Sequence, residues 1–175
     1  IGEIISRLEK RGIRTRLGHK MVRLEEKKVV TEGGEFDADL ILFMPGLTGP
    51  AWLANADLPL SPGGMIVADR KCRVEGRPGV WVVGDAGSFP GPEWMPKQAH
   101  QADLQAKAAA ANLVATLAGR APTVDFRPEL ICIVDMLDAG MVVFRNERFN
   151  FVGPKSVLFH WLKRLFERHY LRAYR

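Results

Sequence analysis

The sequence predicts an α/β protein in which a parallel sheet is covered by helices, and three observations carry that prediction. Two apolar runs, Leu40-Ile41-Leu42-Phe43-Met44 and Val80-Trp81-Val82-Val83, each stop at a tight turn, Pro45-Gly46 and Gly84-Asp85. An unbroken apolar run of that length describes a strand buried on both faces. Helical spacing appears on either side of them, in Ile4, Ile5 and Leu8 and in an alanine-rich stretch from Gln98 to Leu117.

The elements follow in chain order. A helix over the first residues is broken by Gly12, and the alternation Ile13-Arg14-Thr15-Arg16-Leu17 predicts a strand, so that helix and strand make half of a βαβ unit. Met21 to Glu25 and Lys28 to Thr31 predict short antiparallel strands, with Gly33-Gly34 turning the chain into Glu35 to Asp39. After the run 40–44, a stretch rich in Pro and Gly reads as a crossing between domains. Met65 to Asp69 is an apolar segment, and the run from Pro78 to Gly87 is a strand ending in a tight turn. Alanine density and the terminating Gly119 and Pro122 make 98–117 the clearest helix. The period then returns to two at Leu130 to Val134, Met141 to Phe144 and Phe149 to Phe151, before a final helix over the last 20 residues.

Composition narrows the class. With 47% hydrophobic and 26% charged residues the make-up is that of a folded globular chain. It starts at Ile1-Gly2-Glu3 and enters an apolar-periodic stretch at once, which leads us to expect a fragment whose numbering starts inside a larger protein. Neither a signal peptide nor a run of about 18 apolar residues is present, so any membrane contact is expected from one side. The two cysteines, Cys72 and Cys132, have no metal or disulfide-framework spacing, which suits a reducing compartment, and no metal site is expected. The net charge of +5 resides in residues 155–175, where six basic side chains meet only Glu167, so nucleic-acid binding is not expected.

Two constellations could carry chemistry. At Gly84-Asp85, glycine permits a sharp turn at the carboxyl end of a strand, where α/β sheets bind ligands, and the carboxylate can accept from a ribose or ribityl hydroxyl. The helix that follows would aim its N-terminal amides at negative charge in the crevice. The same pair also fits an ordinary Asp turn. In the tail, Val157, Leu158, Trp161, Leu162, Leu165, Phe166 and Tyr170 gather on one side of a helix, with Lys163, Arg164, Glu167, Arg168 and Arg172 on the other. Such a helix can lie in a membrane interface or pack on its own domain.

Gly79-Val80-Trp81-Val82-Val83-Gly84-Asp85-Ala86, followed by Met95-Pro96-Lys97-Gln98-Ala99-His100-Gln101-Ala102 and the alanine-rich helix, resembles the second FAD motif of the pyridine nucleotide-disulfide oxidoreductase superfamily. Pro96-Lys97 and the later pattern are similar to its membrane-associated branch, which includes sulfide:quinone oxidoreductases, flavocytochrome c sulfide dehydrogenases and type II NADH dehydrogenases. The resemblance spans essentially the whole chain. It implies a Rossmann-like, two-dinucleotide-binding-domain flavoprotein: the back half of the NAD-like domain at 1–50, the closing segment of the FAD-binding domain at 51–122, and a quinone- and membrane-associated region at 123–175.

Glu129-Leu130-Ile131-Cys132-Ile133-Val134-Asp135-Met136 resembles the strand that carries a redox cysteine in the sulfide enzymes. That resemblance makes Cys132 the candidate catalytic residue, its thiolate working with a partner thiol. A small buried residue in a strand is the other reading of Cys132. Cys72, in a charged segment, reads as incidental, and the partner thiol is expected outside this chain, with the GxGxxG phosphate loop. The resemblance further implies FAD as cofactor, with Gly84, Asp85, Lys97 and Gln98 binding it and Lys97 near the flavin pyrimidine. His100 reads as structural. Phe166-Glu167-Arg168-His169-Tyr170-Leu171-Arg172 is similar to ends that form a quinone pocket, making Phe144, Phe166 and Tyr170 its candidates.

The expected activity is therefore flavin-dependent sulfide:quinone reduction, the isolated fragment being inactive. Sulfide, a quinone and a membrane surface met through the 156–175 helix are the expected partners, with a second copy of the chain as a further candidate. The expected location is peripheral, on the cytoplasmic face of a prokaryotic inner membrane. A type II NADH:quinone dehydrogenase, with NADH as donor, is the same-class alternative, since Gln98-Ala99-His100-Gln101-Ala102 is at least as close to that pattern. A non-catalytic interaction domain is the alternative of another class.

Overall fold

The computed structural model describes residues 2–135 and 139–172. Ile1, Met136 of the cysteine-strand motif, and residues 173–175 at the end of the basic tail lie outside the described residues. The chain divides into two compact units, Ile1–Gly46 and Leu47–Arg175.

In the first unit, helix α1 (Gly2–Lys10) ends where Gly12 takes a left-handed φ of 75° and the amides of Arg11, Gly12 and Ile13 fold back onto carbonyls of the last turn. Strands β1 (Met21–Glu25), β2 (Lys28–Thr31) and β3 (Gly34–Asp37) form an antiparallel meander in that order. Two-residue turns join them, and Thr31 stabilises the second by accepting from Gly33 N and donating to Gly34 O.

Two expectations fail in this unit. Residues 13–17 are not a strand, and neither is 40–44, whose Leu40, Leu42 and Met44 are 74%, 81% and 91% exposed. A parallel-sheet strand exists only through neighbours that complete its ladder and cover its faces, and no described strand pairs with either segment. The half βαβ unit is accordingly absent among the described residues.

The second unit is built around helix α2 (Ala99–Leu117). Ahead of it lie a 3-10 helix at Ala51–Asn55 and the two-residue strands β4 (Ile66–Val67) and β5 (Gly87–Ser88), which pair in parallel. The predicted strand at 78–83 is reduced to an isolated bridge between Trp81 and Arg73, with Val80 and Val83 both 38% exposed. Val82 N donates to Cys72 O and Val74 N to Val80 O across that bridge, while Val80 N closes a turn onto Arg77 O.

The buried face of α2 differs from what alanine-rich spacing suggests. Gln101, Gln105 and Asn112, at most 3% exposed, share it with Ala108 and Ala109, while Leu113, Val114 and Leu117 point outward. Buried amides persist only when hydrogen-bonded, and these ones hold irregular chain against the helix. Asn112 accepts from Val124 N and donates to Val124 O and Lys71 O; Gln101 accepts from Glu129 N and donates to Arg127 O. Between them a small core forms from Cys72, Ala108, Ala109 and Phe126, with Phe89 edge-on to Phe126 at 5.4 Å.

Strands β6 (Glu129–Asp135), β7 (Gly140–Asn146) and β8 (Asn150–Val152) lie where the period of two was read and form an antiparallel meander, and helix α3 (Val157–Arg172) returns across it. The start of α3 crosses so closely at Gly140 that a Cβ there would lie 2.9 Å from His160 N, which requires glycine. His160 Nδ1 lies 3.0 Å from Asp135 Oδ1, tying α3 to the end of β6.

Candidate functional site

A cavity lined by the candidate cofactor residues lies within the second unit, between the Gly84 turn and the start of α2. It encloses about 140 Å³ and is lined, among others, by Met65, Gly84, Asp85, Lys97, Gln98 and Gln105. Gly84 opens a 3-10 turn, Gly84–Ala86, with a left-handed φ of 67°. Glycine alone takes that conformation without strain, and a Cβ there would touch Ala102 Cβ at 3.4 Å. Its N–H donates to Gln105 Oε1 at 2.7 Å. The turn is therefore set by φ, by helix proximity and by a buried amide.

Asp85 is exposed at the cavity, and among the described residues no group donates to its carboxylate. Lys97 Nζ bridges the carbonyls of Gly87 at 2.7 Å and Asp85 at 3.1 Å. Partial burial pulls the Lys97 ammonium below its ordinary range, and the nearby Asp85 charge opposes that shift. No side chain caps α2 at Gln98, so its first-turn amides remain open to an electron-rich group. Gln98 itself reaches to Ile131 O on β6 at 3.4 Å, and His100 Nε2 meets Glu129 Oε1 at 2.7 Å. The structure thus brings Gly84, Asp85, Lys97 and Gln98 together, and it adds Gln105, which pattern reading missed.

Cys132 sits in mid-β6, half-buried and unpaired. Register puts it opposite Val143, so it shares a sheet face with Leu130, Val134 and Arg145. The Arg145 guanidinium packs on Trp94 at 4.7 Å, in the loop that leads to Lys97. Phe144 lies opposite Ile131 and therefore on the other face. That second face is the one α3 crosses, because Val142 and Phe159 both approach Gly153. Phe144 contacts Phe149 at 6.0 Å, while Phe166 stacks on Tyr170 at 5.6 Å. Cys132 and Phe144 thus occupy opposite faces of one small sheet, while Phe166 and Tyr170 lie on α3.

Cys72 is a different kind of thiol. It is fully buried, its Sγ lies 3.5 Å from Gln105 O, and burial pushes its thiol up to about 12, with the Asp69 charge adding to the effect. Such a group is neither nucleophile nor exchange partner at neutral pH.

Helix α3 turns Phe159, His160 and Lys163 inward and leaves Val157, Leu158, Trp161, Leu162, Leu165 and Phe166 between 42% and 65% exposed. No helix among the described residues is long and apolar enough to cross a membrane. No cluster of His, Cys, Asp and Glu with metal-ligand geometry occurs among them either.

The pyridine nucleotide-disulphide oxidoreductase family matches residues 2–106, more than half of the chain. The chain belongs to this family. No curated relative matches. Among solved structures, the sulfide:quinone oxidoreductase of Aquifex aeolicus superposes with a TM-score of 0.83 at 22% identity, over 97% of this chain and 44% of that one. The water-forming NADH oxidase of Lactobacillus brevis gives 0.60 at 18% identity, over 83% and 33%. An FAD-dependent pyridine nucleotide-disulphide oxidoreductase of Desulfovibrio vulgaris gives 0.53 at 22%, over 83% and 38%. At these identities the likeness is one of fold, the mixed α/β fold of two-dinucleotide flavoproteins. This chain spans less than half the length of each such family structure.

Proposed function

We propose that this chain is the C-terminal part of a flavin-dependent sulfide:quinone reductase, with 1–50 belonging to the NAD-like domain, 51–122 closing the FAD-binding domain and 123–175 meeting quinone and membrane. The observation that carries the reading is the placement of Cys132 and Phe144 on opposite faces of one sheet that is joined to the cavity by Gln98. Such an arrangement keeps a sulfur acceptor and an apolar quinone pocket apart while both stay near one redox group.

The donor set suits FAD: a left-handed glycine turn with a free carboxylate for a hydroxyl, and an ammonium with uncapped helix amides for an electron-rich ring edge. When bound, FAD supplies the two-electron acceptance and release that no side chain here can provide. Gly84 and Asp85 would hold the cofactor, Lys97 and the start of α2 would stabilise negative charge, and Cys132 would serve as half of a disulfide with a thiol outside these residues: HS⁻ attacks one sulfur of that disulfide and the other cysteine leaves as thiolate. Cys72 is excluded as partner by burial, so exchange uses a thiol outside these residues. The exposed apolar side of α3 rests on the bilayer surface, with Phe144, Phe166 and Tyr170 lining the quinone entrance. On this reading the fragment alone is inactive, and the complete enzyme is peripheral on the cytoplasmic face of a prokaryotic inner membrane.

Cys132→Ser in the full-length protein is expected to abolish sulfide-driven flavin reduction while leaving flavin content unchanged; undiminished sulfide oxidation would remove the role assigned to Cys132. The alternative donor, NADH, draws support from the likeness to the NADH oxidase and from the Gln98 to Ala102 pattern. That reading predicts rapid reduction by NADH and indifference to Cys132.

A further inference from the structure

Of the three buried amides on α2, Gln101 and Asn112 have both their oxygen and their nitrogen engaged by backbone groups. Gln105 does not. It is 3% exposed and lines the cavity, and its oxygen accepts from Gly84 N–H at 2.7 Å. A backbone N–H can only donate, so that bond fixes the sense of the carboxamide: oxygen towards Gly84, NH2 away from it. Among the described residues nothing accepts from Nε2. The residue as a whole is buried, yet Nε2 stays open to the cavity that it lines, so a donor of fixed orientation faces the space where a ligand acceptor can reach it.

We propose that Gln105 reads the bound dinucleotide directly, donating from Nε2 to a hydroxyl oxygen of its polyol chain while its own oxygen holds the Gly84 turn. This rests on the flavin reading above and deepens it. Gln105 stands seven residues beyond Gln98, about 10 Å along the helix axis. It therefore meets a different part of the ligand from the part at the helix N-terminus and Lys97. Its neighbour at that depth is the Gly84-Asp85 turn, whose carboxylate is a free acceptor. A hydroxyl needs one acceptor and one donor to be satisfied, and Asp85 with Gln105 supplies that pair, whereas a phosphate would be repelled by Asp85.

The test uses the full-length protein stripped of cofactor and titrated with FAD. Gln105→Glu keeps an acceptor for Gly84 N–H but loses the NH2, and Gln105→Leu loses both. The Glu variant is expected to bind FAD on the order of tenfold more weakly, and the Leu variant more weakly still with a lowered Tm. Burial raises the introduced carboxyl above its ordinary range, and as pH falls through that raised value the Glu side chain regains an O–H donor and its affinity should approach that of the wild type. Wild-type affinity in Gln105→Glu, or a deficit that pH leaves unchanged, would overturn the donor role alone. A wild-type protein that takes up no FAD would overturn the flavin reading and this inference together.

Discussion

At Gly84 the chain adopts a φ of 67°, a left-handed conformation that strains a residue bearing a Cβ, with Ala102 Cβ at contact distance from any added methyl. Gly84→Ala is expected to cost about 1–3 kcal/mol, read as a lowered melting temperature and reduced flavin content. The two cysteines make a second prediction, because burial separates them. Native-state thiol titration should label Cys132 and leave Cys72 unmodified until denaturant is added. Alkali should expose the same difference. Folding raises the Cys72 thiol from 9.0 to about 12, so between those values the unfolded chain gives up a proton that the folded chain keeps. Stability attributable to Cys72 is complete below pH 9.0 and declines as pH rises towards 12. Cys72→Ala should flatten that alkaline decline. The sequence marks Gly84 and Asp85 through their place after an apolar run, but it gives no sign that Cys72 is core, since Asp69, Arg70, Lys71 and Arg73 around it read as surface.

Among the elements, those stabilised locally were legible and those needing distant partners were not. α1, α2, α3 and the two antiparallel meanders follow from period, capping and turn residues, all local properties. The runs at 40–44 and 80–83 have the composition of buried parallel strands, yet composition cannot supply the neighbour that makes a strand. The amide stripe on α2 was missed for a different reason. Gln101, Gln105 and Asn112 recur on one side of the helix, a signal present in the sequence, but polar residues are assigned to the solvent face by default. Asn112→Leu leaves Val124 N–H and two carbonyls without their partner and should destabilise the second unit by about 1–3 kcal/mol, measurable by thermal or denaturant unfolding. α3 predicts the opposite. Replacing the exposed Trp161 and Leu165 by Ser should weaken binding to anionic vesicles while leaving the melting temperature near that of the wild type, because both side chains are more than half exposed and the ring contacts of Trp161 are to His160 and Arg164 of its own helix.

Taken as a molecule, the chain joins a small meander unit to a larger unit that holds the cavity, the amide seam and both faces of the cysteine-bearing sheet. Family membership rests on residues 2–106, yet Cys132, Phe144 and the exposed side of α3 lie beyond that stretch. On the proposed reading, the residues that would set the electron donor and acceptor lie in the part of the chain that the family match does not reach. The most direct measurement is anaerobic rapid mixing of the full-length protein with sulfide and, separately, with NADH, following the flavin absorbance. Bleaching by sulfide that a quinone analogue reverses, and that Cys132→Ser eliminates, is the result expected here. Bleaching by NADH alone, unchanged in Cys132→Ser, would contradict it.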